Sequence, residues 1–306
     1  MSEEVEKELK KIPGLSWLIK QAKKIILPGL EGLSLYDLWE IYSVGIIKGT
    51  FSTRAGSIAF SFFMAIFPFL LFILNLIPYV WFIDDFQLEV LAFMDTLLPP
   101  QTSEFFNEIF ADIVNNPRGG LLSITFILSI FLMTNGINAI FTGFEFSYHT
   151  TINRSIIRQY LVALGTSIII ALMLLLSVIA FVYLTYIIED LKAIGIFSDN
   201  LYWAQIGRYL VFVLLIYNAV ATLYYFGTKE GRNSRYFSVG AFFTTLLIML
   251  TTFLFSIYIE NFSTYNKLYG SIGALLILMV YIWINANILL LGFELNASIN
   301  RLKRNF

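Results

Sequence analysis

Long uncharged apolar runs alternate with short charged stretches along the chain, and the runs exceed what a core helix of a soluble domain needs. They are Ala55–Ile83, Gly119–Phe144, Gln159–Ile188, Tyr209–Thr228, Tyr236–Ile259 and Leu268–Phe293. A helix needs about 20 apolar residues to cross about 30 Å of hydrocarbon, and in lipid a helix satisfies every backbone N–H and C=O within one segment. The pattern predicts an all-α polytopic membrane protein, a bundle of six transmembrane helices at about 56–82, 120–144, 160–188, 209–228, 237–259 and 269–293 within a domain of residues 51–300.

Residues 1–50 read as a cytoplasmic or interfacial amphipathic arm. Ser34 and Asp37 form a capping-box pattern, followed by Leu35, Leu38, Trp39, Tyr42 and Ile46 on one helical face. Upstream, Lys20, Lys23 and Lys24 oppose Leu15, Leu18, Ile19, Ala22, Ile25 and Ile26, a face suited either to anionic lipid or to solvent. Glu3, Glu4, Glu6 and Glu8 stand where a signal peptide would be basic, so a mature N-terminus is expected. Residues 84–118 show two apolar-periodic halves split by Pro99 and Pro100, which predicts an external helical hairpin. Its acids match no calcium loop, which requires carboxylates at alternate positions around a glycine turn. Residues 301–306 read as a basic cytoplasmic tail.

Composition agrees with lipid as solvent: 58% of residues are hydrophobic and 13% charged, against about 25% charged in soluble domains. The chain has no Cys and one His, which excludes disulfides, thiolate chemistry and multi-His metal sites. Net charge is −1, and this gives no nucleic-acid footprint. That near-zero sum conceals sorting by side. Residues 1–54, 145–158, 229–235 and 294–306 hold 16 Lys and Arg with 10 acids; 84–118, 189–208 and 260–267 hold 4 with 11. The positive-inside rule then places both termini in the cytoplasm.

Polar groups inside the spans are the informative ones, because hydrocarbon makes them costly. Arg54, Ser57, Ser61, Pro68 and Asn75 fall within about 60° of one another on the first helix, and Pro68 should kink it. Asn135, Asn138, Thr142 and Glu145 share a face of the second. Ser238, Thr245, Thr252 and Ser256 align on the fifth, and Gly273, Trp283, Asn287 and Glu294 on the sixth. Such stripes can converge on a central cavity, or can serve only close helix packing and cross-helix hydrogen bonds. Arg54, Glu145 and Glu294 lie at helix ends, where a charge can also snorkel to the interface.

Arg54-Ala55-Gly56-Ser57-Ile58-Ala59-Phe60, leading to Phe67-Pro68-Phe69, resembles the first-helix signature of the YihY/virulence factor BrkB family. Tyr258-Ile259-Glu260-Asn261-Phe262, Tyr265-Asn266, Tyr269-Gly270-Ser271-Ile272-Gly273 and Leu291-Gly292-Phe293-Glu294-Leu295-Asn296-Ala297 resemble its C-terminal block. Glu145 stands where that family is expected to carry Asn, and the fourth helix ends in Tyr225-Phe226-Gly227 where a Pro is usual. The resemblance implies a bacterial inner-membrane protein of the cell envelope, in a family formerly labelled ribonuclease BN.

A metal-dependent ribonuclease would need a His/Asp cluster and a basic groove. With His149 the sole histidine, and no HExxH, G-x-S-x-G or Walker-type loop, the sequence reads as that of a non-enzyme without cofactor or metal. The expectation is a transporter or lipid-handling protein for an anionic or amphiphilic substrate, with membrane lipids and a second copy of the chain as candidate partners and no ATPase motif. Tyr258, Asn261, Tyr265 and Tyr269, at the external turn before the last helix, are candidates for a headgroup or sugar, or else plain interface anchors. The alternative is a non-transporting scaffold that recruits a partner or lipid.

Overall fold

The computed structural model describes residues 21–26, 34–37, 39–40, 50–76, 122–146, 154–193, 202–229, 231, 235–261 and 271–304. Six long helices organise them: α1 (Thr50–Leu76), α2 (Leu122–Glu145), α3 (Ile156–Ala193), α4 (Tyr202–Gly227), α5 (Val239–Asn261) and α6 (Ser271–Arg304). Among the described residues there is no strand, only a β-bridge between Ile26 and Ser34. Among the described residues, five segments, one in each of α2 to α6, are long and apolar enough to cross a membrane. The expected hairpin at 84–118 lies outside the described residues.

The helices overrun the apolar runs that announce them. α1 begins at Thr50 and carries Arg54 within it, α3 spans 38 residues, and α6 continues through Arg304, so residues 301–304 extend a helix rather than forming a separate tail. A charge marks where hydrocarbon ends, whereas helical hydrogen bonding continues into the headgroup region. Pro68 lies buried within α1, which continues on both sides of it.

Neighbours in sequence are neighbours in space, and α6 returns to pack on α1, closing a ring. Its middle is filled where α2, α4 and α6 approach. Phe144 stacks on Phe293 with ring centroids 4.0 Å apart, and Tyr224 meets both edge-on at 5.6 and 5.8 Å. The four-way convergence of stripes on a central cavity is therefore not what the fold shows at this level, because large aromatic side chains occupy the space. Glycines permit the approach. A Cβ on Gly227 would strike the Phe144 ring, and one on Gly240 would stand 2.6 Å from the Gly292 carbonyl oxygen.

Outside the ring the capping box forms as its spacing suggests. The Ser34 backbone N–H donates to Asp37 Oδ2 at 2.8 Å, and the Asp37 N–H donates back to Ser34 Oγ at 3.3 Å. Leu35 and Trp39 are exposed and Tyr36 is buried.

Candidate functional site

Helix α2 has two unlike faces. Ile137, Ile140, Phe141 and Phe144 are buried in the ring, whereas Asn135, Asn138, Thr142 and Glu145 are only half-buried. Spacings of three, four and three residues keep those four on one side of the helix. The side they occupy faces the clefts toward α1 and α3 rather than the ring's middle. Ile58 approaches Gly143 and Phe62 approaches Gly136, so α1 and α2 run antiparallel and their polar ends coincide.

Between them lies a furrow of about 420 Å³, lined by Thr53, Arg54, Ser57 and Ser61 of α1 and by Asn135, Asn138, Thr142 and Gly143 of α2, with Phe146 at its end. A second furrow, of about 250 Å³, shares Asn138, Thr142 and Phe146 and adds Glu145, Arg154 and Gln159. The two flank one polar ridge on α2. Gln159 Nε2 donates to Asn138 Oδ1 at 3.1 Å and to Thr142 Oγ1 at 2.9 Å, tying α3 to that ridge.

Arg54 joins three helices. Its Nη1 donates to the Gly143 carbonyl at 2.8 Å, its Nη2 stands 3.9 Å from Glu294 Oε1 on α6, and its guanidinium covers the Phe51 ring at 4.7 Å. Its side chain is 14% exposed and that of Glu294 7%, so the pair is largely withdrawn from solvent without being sealed. Arg154 does a different job. Its Nη1 donates to the carbonyls of Phe226 and Gly227 at 2.6 and 3.3 Å, capping the C-terminal end of α4, while its backbone N–H donates to Glu145 Oε1 at 3.1 Å.

Of the residues singled out from the sequence, the structure brings Arg54, Ser57, Ser61, Asn135 and Asn138 together, with Glu145 in the adjoining furrow and Glu294 behind Arg54. Asn287 is elsewhere; its Nδ2 donates to the Trp283 carbonyl one turn back at 2.7 Å. The α5 stripe is absorbed locally. Ser238 Oγ accepts from the Ala241 N–H at 3.2 Å, Thr245 donates to the Ala241 carbonyl at 2.9 Å, and Thr252 lies 2.7 Å from the Tyr281 hydroxyl. Pro68 is on α1 beyond the furrow lining. The side chains of Asn75 and Asn261, and all of Tyr265 and Tyr269, lie outside the described residues; Tyr258 is exposed at the end of α5.

Gln159 and Arg154 were missed by sequence reasoning. Gln159 opens the third run and reads as its boundary, and Arg154 counts there only as a loop charge. Their role rests on partners 9 to 73 positions away. Among the described residues no three His, Cys, Asp or Glu are grouped to hold a metal ion. Among the described residues, the larger furrow's lining presents one guanidinium with hydroxyl and amide groups and no carboxylate, a set suited to an oxyanion or a polyhydroxylated group.

The stretch that contains all six helices, residues 45–305, matches the family model described as Virulence factor BrkB. The chain belongs to the virulence factor BrkB family. Among related proteins, the ribonuclease-like protein YfkH of Bacillus subtilis strain 168 is 28% identical over 258 residues, covering 82% of this chain and 91% of its own. A UPF0761 membrane protein of Coxiella burnetii strain Dugway 5J108-111 is 21% identical, covering 78% of this chain and 84% of its own. A UPF0761 membrane protein of Idiomarina loihiensis is 34% identical over 105 residues. No solved structure matches the chain. In this BrkB-family member the two motif blocks meet physically: Arg54 of the first pairs with Glu294 of the second, and Phe293 stacks in the middle of the ring.

Proposed function

We propose that this BrkB-family membrane protein is a transporter or lipid-handling protein of the bacterial inner membrane that moves an anionic or amphiphilic substrate along the furrow flanking α2. Both termini face the cytoplasm in this reading, which sets the polar end of α1 and α2 on the cytoplasmic side. The observation that supports it most is the placement of costly polar groups. Arg54, Ser57, Ser61, Asn135 and Asn138 border open space, while the ring's middle is closed by aromatic rings. Polar groups needed only to pack helices would be buried against each other. With no ATPase motif, movement would draw on a gradient, a partner or simple equilibration.

A second reading, a membrane scaffold, draws on the α5 and α6 stripes, whose polar groups bond within the bundle. The ribonuclease-like name of the Bacillus subtilis relative supplies a third, for which RNA hydrolysis abolished by His149→Ala would be the sign. Reconstitution into vesicles with labelled phospholipids and organic anions tests the leading reading. Movement above protein-free vesicles is expected, reduced by Arg54→Ala. No movement of any substrate, or an Arg54→Ala variant equal to the wild type, would leave the scaffold as the better account.

A further inference from the structure

The furrow between α1 and α2 is polar at one end and apolar at the other. On α1, exposed Thr53 and Ser57 give way to exposed Phe60 and Met64 along the same side of the helix. On α2, half-buried Asn138 and Asn135 give way to exposed Phe131 and Ile127. Because the two helices are antiparallel, polar end lies against polar end and apolar against apolar. The result is a lengthwise gradient on the outer side of the bundle, open laterally, with the width of two helices.

A soluble ion matches only the polar half of that surface, and an ordinary acyl chain only the apolar half. We propose that the α1–α2 furrow is a lateral binding site for a membrane amphiphile with a phosphate-bearing headgroup, held by Arg54 and the Ser57, Ser61 and Asn138 side chains, with its acyl chain along Phe60, Met64 and Phe131. The assignment rests on the transport reading for its purpose and on the furrow's own chemistry for its ligand. A guanidinium carries five N–H donors in a rigid fork, enough for Arg54 to meet a phosphate oxygen alongside the Gly143 carbonyl and the Glu294 carboxylate it already faces. Among the described residues that line this furrow there is no carboxylate to repel an anion; Glu294 pairs with Arg54 from α6, with 3.9 Å between Oε1 and Nη2. At about 420 Å³ the polar half falls within the roughly 300–1,000 Å³ of small-ligand sites.

The chain has no cysteine, so single-cysteine reporters are directly available. Ser57→Cys and Ser61→Cys would be placed in the full chain, with Phe242→Cys on exposed α5 as control, and their maleimide labelling rates measured in non-ionic detergent micelles. Micelles would be doped with phosphatidylglycerol or with a phosphate-free diacylglycerol glycolipid; a third arm adds inorganic phosphate alone. Phosphatidylglycerol is expected to slow both furrow reporters about tenfold, the worth of one charge-assisted hydrogen bond, and to leave the control unchanged. Adding Arg54→Gln should abolish the slowing and Arg54→Lys should keep part of it. Equal slowing by the glycolipid overturns the phosphate requirement, and equal slowing by inorganic phosphate overturns the amphiphile. If Arg54→Gln fails to fold, the three arms with Arg54 intact still decide. No slowing in any arm overturns this site while the vesicle assay judges transport separately, and protection without movement retains the site and removes the transport reading.

Discussion

Tyr224 on α4 and Asn138 on α2 are both polar side chains placed inside a membrane bundle, and their surroundings could hardly differ more. The Tyr224 hydroxyl donates to the Leu289 carbonyl at 2.8 Å, shares a 2.6 Å hydrogen bond with Thr244, and is fully buried beneath Phe144 and Phe293. Asn138 accepts from Gln159 and borders both furrows. One region spends its polar atoms on joining α4, α5 and α6; the other sets them along the walls of two furrows. Residue type does not separate the two regions, since Ser, Thr, Asn and Gly occur in each. What separates them is whether each polar atom's partner lies inside the ring or in the cleft.

The comparison can be broken most violently at a glycine. A Cβ on Gly292 would collide with Thr244 Oγ1 and come within 2.6 Å of the Tyr224 hydroxyl, whereas one on Gly56 of α1, next in sequence to Ser57 of the furrow lining, meets nothing within 4 Å. Gly292→Val is expected to lose about 3 kcal/mol or more through overpacking and helix separation, seen as loss of the monodisperse peak or a large fall in Tm in detergent. Gly56→Ala should be neutral or stabilising by up to about 1 kcal/mol, since alanine is the better helix former. Equal damage from the two would show that α1 at Gly56 is as tightly packed as the ring's aromatic middle.

Smaller but more specific is the loss of one oxygen. Tyr224→Phe keeps the ring and removes the hydroxyl, so the expected cost is about 0.6–2 kcal/mol, the range for hydrogen bonds between membrane helices. Thr244→Val should cost a similar amount, and the double variant less than the two costs summed, because both sit in one bond. Full additivity in a thermal-stability cycle would mean that the 2.6 Å contact carries no energy.

These contrasts also explain what could be read without coordinates. Helix type and the membrane-crossing length of α2 to α6 were legible because lipid forces backbone bonds inward and leaves long uncharged runs as the visible trace. The Ser34 and Asp37 cap was legible because its partners are three residues apart. The α1 and α2 stripes were legible as faces by helical periodicity, but what a face looks at is set by the ring's closure, which no local pattern contains. Thus Asn287 and Thr252 looked like Asn135 and Ser61 in the sequence, and the fold separates them by giving the first two hydrogen-bond partners within α5 and α6. Arg154 was illegible for the same reason, because the carbonyls that it caps belong to α4.

Ser61 offers the finest test of the distinction. It is half-buried in the furrow lining and lies one helical turn beyond Ser57. If the furrow holds a ligand, Ser61→Ala should change stability by no more than about 0.5 kcal/mol, as expected for a substitution away from packed contacts, while lowering substrate movement in vesicles. If Ser61 instead belongs to a helix-joining network, the same substitution should cost as much stability as Tyr224→Phe and change movement only in proportion to the folded fraction. Measuring Tm and transport on the same preparation separates these outcomes, since a ligand contact shifts the second without the first.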